Sequence, residues 1–324
     1  MICLSAAICA AENSTELNYG MGILNIRSQS IAQSFRLTLP LMIPGDIKPG
    51  YQAITQATWS NIWAEEKSYL LDYESLETTL GMGYGFSRKL GMAATIDSRT
   101  HFGGKMDGFI QGFHDLFNID QNGRDNYPKN RSVITRYDPE TGAITQQQSA
   151  KKLSNSGVNL LVNYNLEHAG TLLPAVNIYG VARYPFETAE YIGRKKGVDL
   201  GIGLGLSKKW FTNFYTYGIA GTTRYNNRGN RQNTGIELKN HQYTGLFAMA
   251  YTLSDNLAMI TQYLFSTPVI EGIKGFDKSS HEVHLGVKFK VGKKAILGVG
   301  LIQNIINMDN SPDFGIHVGL DLQL

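Results

Sequence analysis

Long apolar runs are missing from this chain. No stretch of its 324 residues approaches the ~18 consecutive apolar residues that a transmembrane helix needs. Gly, Asn and Thr interrupt the β-branched and aromatic residues, often at every second position, so a helical membrane protein is excluded. Charge is also scarce, at 18% of residues with a net of +3. The basic residues are scattered and build no focused patch, which argues against a nucleic-acid partner. The two cysteines, Cys3 and Cys9, both lie in the small, apolar opening segment 2–11, which reads as the end of a secretory signal cleaved after Ala10 or Ala11. The segment lacks a positive n-region and so reads as truncated. A lipoprotein at Cys9 is the weaker reading, because Ile8 stands where a small residue is expected. A chain cleaved there has neither disulfide nor thiol chemistry. What the sequence has in quantity is Gly (35) and Tyr (17), and these sit in ordered patterns.

The dominant pattern has period two, in segments of about ten residues, the length at which a tilted strand crosses a bilayer. Val198, Leu200, Ile202, Leu204 and Leu206 alternate with Asp199, Gly201, Gly203, Gly205 and Ser207. The same alternation runs through 76–86, 158–166, 283–291 and 314–324. It recurs less cleanly in 53–63, 90–98, 174–184, 211–221, 243–253, 257–265 and 295–301. That gives an all-β fold class: a transmembrane antiparallel β-barrel of about 12 strands, within a range of about 10–14. Residues 12–324 form its single domain after the signal at 1–11.

The connections alternate in length, as they do in barrels with short periplasmic turns and long external loops. Short turns are expected at 87–89, 207–209, 254–256 and 292–294, and longer polar loops at 185–196, 225–242, 266–280 and 303–313. A soluble barrel or sandwich also alternates, but its outward face would be rich in Lys and Glu. Here the non-apolar face is mostly Gly, Asn and Thr. The ending His317-Val-Gly-Leu-Asp-Leu-Gln-Leu324 resembles the terminal signal read by the outer-membrane assembly machinery, with Leu324 in place of the usual aromatic. The expected location is the bacterial outer membrane, and the expected partners are that machinery, membrane lipid and glycolipid.

Between His101 and Arg131 the period changes to 3.6. Met106, Phe109, Ile110, Phe113, Leu116 and Phe117 share one helical face, with His114 and Asp115 on the same helix, and the loop 102–131 is expected to cap or plug the barrel. Gly at the inward positions of several strands leaves room for an inserted element. A rim helix with a structural role is the alternative. Residues 131–149, with Asp138-Pro-Glu-Thr-Gly142 at the centre, read as an external hairpin. Residues 17–33 show no clean alternation, and 34–42 fit a further strand. An N-terminal strand and a luminal hatch remain equally open for this region.

Two blocks carry a resemblance: Gly22-Ile-Leu-Asn-Ile-Arg27-Ser-Gln29-Ser, and Gly103-Gly-Lys-Met-Asp107-Gly-Phe-Ile110-Gln-Gly-Phe-His114-Asp115-Leu-Phe117 followed by Gly123-Arg-Asp125. With them the chain resembles an uncharacterised family of Gram-negative bacterial proteins, known only as a domain of unknown function and expected to be outer-membrane β-barrels. The resemblance implies fold and location and transfers no catalytic residue.

Enzymatic and metal chemistry find little support. His114-Asp115, His241 and the pair His281 and His284 match no hydrolase pattern, and two His at i and i+3 on a strand face opposite sides. Neither a cofactor nor a metal is expected. Charges at strand positions, namely Asp97, Arg99, Arg183, Asp199, Lys288, Lys290 and Asp321, are candidates for a mixed lumen lining. Arg194, Lys195, Lys196, Arg228 and Arg231 in the external loops are candidate contacts to glycolipid phosphates. The expected function is passive or gated passage of a small or amphiphilic solute. A closed barrel with a structural or glycolipid-binding role is the alternative.

Overall fold

The fold was analysed in a computed structural model. It describes residues 18–34, 38–117, 123–166, 173–187, 197–226, 237–306, 310 and 312–324. The expected cleavage region 1–11 and the loop cations Arg194, Lys195, Lys196, Arg228 and Arg231 lie outside the described residues.

Twelve strands close into an antiparallel barrel: β1 (Gly50–Glu66), β2 (Tyr69–Gly85), β3 (Leu90–Phe102), β6 (Asn155–Leu166), β7 (Ala175–Glu187), β8 (Asp199–Phe211), β9 (Phe214–Arg224), β11 (His241–Ser254), β12 (Leu257–Ser266), β14 (Ser280–Val291), β15 (Ala295–Ile306) and β16 (Phe314–Gln323). Each of the twelve alternating segments read from the sequence is one of them. Closure is made by β1, which pairs with β2 on one side and with β16 on the other, from Gln52 opposite Gln323 to Asn61 opposite Phe314. A short hairpin, β4 (Val133–Tyr137) and β5 (Ile144–Ser149), extends the sheet by pairing with the end of β2 that runs past β3. Its turn is the expected one, with the Asp138 side chain accepting from the Glu140 and Thr141 amides. Two residues each of β10 (Glu237–Leu238) and β13 (Ile270–Glu271) pair between the external loops.

Alternation sorts the residues as a bilayer demands. Ile96 is 57% exposed and its neighbour Asp97 is 0% exposed. Leu80, Leu160, Ile202, Met259 and Leu285 lie on the same outer surface. Exposed aromatics ring this apolar band at both ends: Tyr51, Tyr84, Trp210 and Tyr251 at the end of the short turns, Tyr184, Phe186 and Tyr243 at the loop end. Girdles of this kind sit at membrane interfaces, and the chain is an outer-membrane β-barrel.

One turn falls elsewhere than expected. The β8 strand continues through Ser207, Lys208 and Lys209, and turns after Phe211. A lysine near a strand end can lie along the wall and keep its head in water; the Lys209 ammonium sits 5.5 Å over the Tyr215 ring.

The lumen is filled by the chain's own beginning. Residues 18–34 and 38–49 run inside the barrel with little regular structure, apart from a 3₁₀ turn at Ile31–Ser34. Residues 38–42 form no strand, which decides between the two readings of this region in favour of a luminal hatch. Ile23, Leu24, Ile26, Leu39, Met42, Ile43 and Ile47 share one apolar core with wall residues such as Leu161, Tyr179, Ile219, Leu246 and Ile302. A second core closes the loop end, where Ile31 meets Ile62, Tyr69, Leu71, Tyr73, Leu153, Val269, Ile270 and Phe276.

Glycine makes the room. A Cβ on Gly205 would run into the Asn177 side chain and the backbone of Met42. We therefore expect Gly205→Ala to cost about 1–3 kcal/mol, the usual range for overpacking, and to loosen segment 38–47 inside an intact barrel. Limited proteolysis reads this as faster cleavage within 38–47. Gly180→Ala, whose nearest neighbour is 3.9 Å away, is expected to leave cleavage unchanged.

Candidate functional site

The middle of the lumen is an ionic layer between the two apolar cores. Period two puts Glu77 and Thr79 of β2, Asp97 and Arg99 of β3, and Arg183 of β7 on the inner face, and all five are buried. Arg27 of the luminal segment enters this layer. Its Nε lies 2.6 Å from Glu77 and its Nη1 lies 2.8 Å from Asp97. Asp97 also accepts from Arg183 at 2.9 Å and from Asn159 at 2.7 Å. Arg99 pairs with Glu77 and donates to the Ser28 carbonyl at 3.0 Å. The wall alone thus opposes two guanidinium groups with two carboxylates, and Arg27 adds a third cation from the segment inside.

Neighbouring contacts fasten the same segment. Glu282 accepts from Ser28 Oγ at 2.5 Å and from the Gln29 amide at 3.0 Å. The Gln262 side-chain amide pairs with the backbone of Leu24 in both directions, each at 3.0 Å, standing in for a strand partner. Gln29 accepts from Ser60, Lys288 donates to the Met21 carbonyl at 2.9 Å, and Tyr217 donates to the Tyr19 carbonyl. An extended chain suits such a wall because its unpaired backbone groups satisfy polar side chains that would otherwise be buried without partners.

The seven charges selected as lumen lining are spread along the barrel. Asp97, Arg99 and Arg183 meet in the ionic layer. Asp199 sits at the loop end, accepting from the Asn226 amide. Lys288, Lys290 and Asp321 lie toward the turn end, along a cavity of about 410 Å³. Periodicity also carried Glu77. Arg27, Glu282 and His317 were missed; Arg27 lies in a stretch with no period at all.

The loop helix is elsewhere. Helix α1 (Asp107–Phe117) lies outside the barrel, and the expectation that it plugs the lumen is corrected. Met106 and Ile110 pack with Phe314, Trp59 and Ile316, which share the outward face of the β1–β16 seam with Val318 and Leu320. Phe109 (57% exposed) lies tilted against Phe314 with ring centroids 5.5 Å apart, and Leu116 is 78% exposed. Asp115 is exposed as well; the side chains of Phe113, His114 and Phe117 lie outside the described residues. The loop is strapped down by Asp107, which accepts from Asn61 at 3.1 Å, by Glu74, which accepts from Trp59 at 2.6 Å and from the Met106 amide, and by Arg124, paired with Asp313 at 3.0 Å. The physical reason is that a helix satisfies its own backbone and offers only an apolar stripe, which matches the lipid-facing surface rather than a polar lumen. Ile110→Asp is accordingly expected to cost several kcal/mol, as burial of an unpaired charge does. It should lower the temperature at which the folded band is lost on gels, without opening the lumen to ions.

The described histidines build no centre. His281 points outward to Tyr263 at 2.6 Å, His284 points inward to Gln262 at 2.8 Å, and His317 meets Thr58 at 2.8 Å. Among the described residues no group of three or more His, Cys, Asp or Glu is placed to hold a metal.

A solved structure shares the architecture. An outer membrane channel from Pseudomonas putida F1 aligns with a TM-score of 0.54 at 10% identity, over 87% of this chain and 99% of that one. The transport unit of the autotransporter AIDA-I from Escherichia coli aligns with a TM-score of 0.48 at 8% identity, over 88% and 93%. The translocator domain of the autotransporter NalP from Neisseria meningitidis aligns with a TM-score of 0.45 at 10% identity, over 87% and 91%. No curated protein matches the chain. A family model does, along residues 1–324, and with it the chain belongs to the DUF3187 family, whose description is a protein of unknown function.

Proposed function

We propose that this barrel is a gated channel for a small or amphiphilic solute, and that residues 18–49 are its gate. The observation that carries the reading is the charge balance of the ionic layer. Arg99 and Arg183 already oppose Glu77 and Asp97 on the wall, so withdrawal of Arg27 leaves each of these two carboxylates with a cation and uncovers a polar lining ready for water. Purely apolar filling would leave a greasy bore that resists wetting. The remaining polar ties between gate and wall are hydrogen bonds replaceable by water, each worth about 0.5–1.5 kcal/mol net, or about 1.5–3 kcal/mol where Glu282 or Lys288 is the partner, and the apolar side chains of the gate pack in one core with the wall. A cavity of about 410 Å³ beside the gate already opens toward the turn end. Short turns face the periplasm in outer-membrane barrels, so this vestibule faces inward.

The test is single-channel recording in planar bilayers of protein whose folding is verified by gel heat-modifiability. Rare or voltage-induced openings are expected from the intact chain, and steady ohmic steps from a chain lacking residues 1–47. Silence from both, with the barrel folded, overturns the channel and favours a closed barrel with a structural role.

A further inference from the structure

We infer that the turn-side vestibule is a binding site for a small monoanion with an apolar body, a carboxylate at the end of a hydrocarbon chain. This deepens the channel reading by naming a solute class. The cavity is built half from the gate and half from the wall, and the two halves of its chemistry differ. Ile23, Ile26, Leu41, Ile43, Ile47 and Leu161 supply apolar surface. The mouth is cationic: Lys48, Lys288, Lys290, Lys293 and Lys294 line the cavity, against the carboxylates Asp46 and Asp321. Lys290, Lys293 and Lys294 are exposed and carry no ion pair among the described residues. The cavity volume, about 410 Å³, lies in the range of roughly 300–1,000 Å³ that small-molecule sites occupy.

An apolar pocket with a few convergent polar groups selects ligands by shape and fixes their orientation by charge. Here the charge is positive, crowded at one end, and in excess over the acids beside it. A bare anion gains nothing from the apolar half; a neutral chain gains nothing from the lysines. Only a molecule with both parts uses both. Its head would reside at the turn-end mouth and its body against the gate.

Binding is measured by isothermal titration calorimetry on the full chain in amphipol, with octanoate, octanol and acetate as probes. Octanoate is expected to bind, and octanol and acetate to bind at least about tenfold more weakly, octanol through loss of the charge-assisted contacts and acetate through loss of apolar burial. Raising the salt should weaken octanoate, because exposed charges are screened. The triple variant Lys290→Gln, Lys293→Gln, Lys294→Gln should lose roughly tenfold in octanoate affinity. Lys288 is left intact because it holds Met21. Equal binding of octanol, equal binding of acetate, an unchanged triple variant, or no binding by folded protein each overturns the inference. The readout needs no flux. A conducting protein that ignores octanoate therefore sinks the ligand and spares the channel, and a silent one that binds it does the reverse.

Discussion

Arg27→Ala is expected to turn a silent or rarely opening barrel into one that conducts in frequent bursts. Arg27 is buried, and it is the residue through which the gate reaches both carboxylates of the ionic layer. Removing one partner of a buried ion pair costs about 3–5 kcal/mol when the other charge is stranded. Glu77 and Asp97 are not stranded here, because Arg99 and Arg183 still hold them. The loss therefore falls on the seated gate and spares the wall. A few kcal/mol of differential stability corresponds to roughly a hundredfold or more in the open population. Planar-bilayer recordings read this as open time, and Arg27→Lys, which keeps the charge and loses the planar fork, is expected to fall between wild type and Ala. A silent Arg27→Ala protein with a correctly folded barrel contradicts the gate.

Asp97→Ala is expected to act on the barrel itself. Asp97 accepts from Arg27, Arg183 and Asn159 and so joins the gate, β7 and β6 to β3. Its removal leaves the Arg183 guanidinium buried with Asn155 as the remaining acceptor among those hydrogen bonds. A loss of about 3–5 kcal/mol follows from an uncompensated buried charge. It is measured as a lowered urea midpoint for the heat-modifiable band in micelles. Adding Arg183→Ala should recover part of the loss, since two residues in one network do not add. Equal midpoints for wild type and Asp97→Ala would remove the ionic layer from the account of stability.

These two residues show what the sequence makes legible. Asp97 stood out because it occupies an inward slot in a strand whose other face carries Met92 and Ile96. Period two is a direct image of a wall with lipid on one side, and all twelve barrel strands were found by it. Arg27 had no such image. Its segment touches wall on every side, so apolar Ile23, Leu24 and Ile26 run directly into polar Ser28, Gln29 and Ser30 with no repeating face. Of the glycines on β8, Gly201 and Gly205 face Leu39 and Met42 of the inserted segment, while Gly203 makes room for Tyr179 of the wall; they announced an inserted element but left its identity open. The helix was the obvious occupant by hydrophobicity alone, yet its stripe matches Phe314 and Trp59 on the outer seam. Periodicity shows that a face must be covered, and the partner follows only from the full register.

The closing seam sets the order in which this molecule can be built. β1 starts at Gly50, directly after the gate, and its other neighbour is the last strand of the chain. Ser28 meets Glu282 across 254 positions and Leu24 meets Gln262 across 238. The portion synthesised first thus has only part of its seat, on β2 and β3, until the later strands have arrived. Either the sheet curls around a beginning already laid against it, or that beginning is threaded through the gap between β1 and β16 before the gap shuts. Contacts so distant in sequence pay their chain entropy before any return, and the final step of assembly and the sealing of the lumen become a single event.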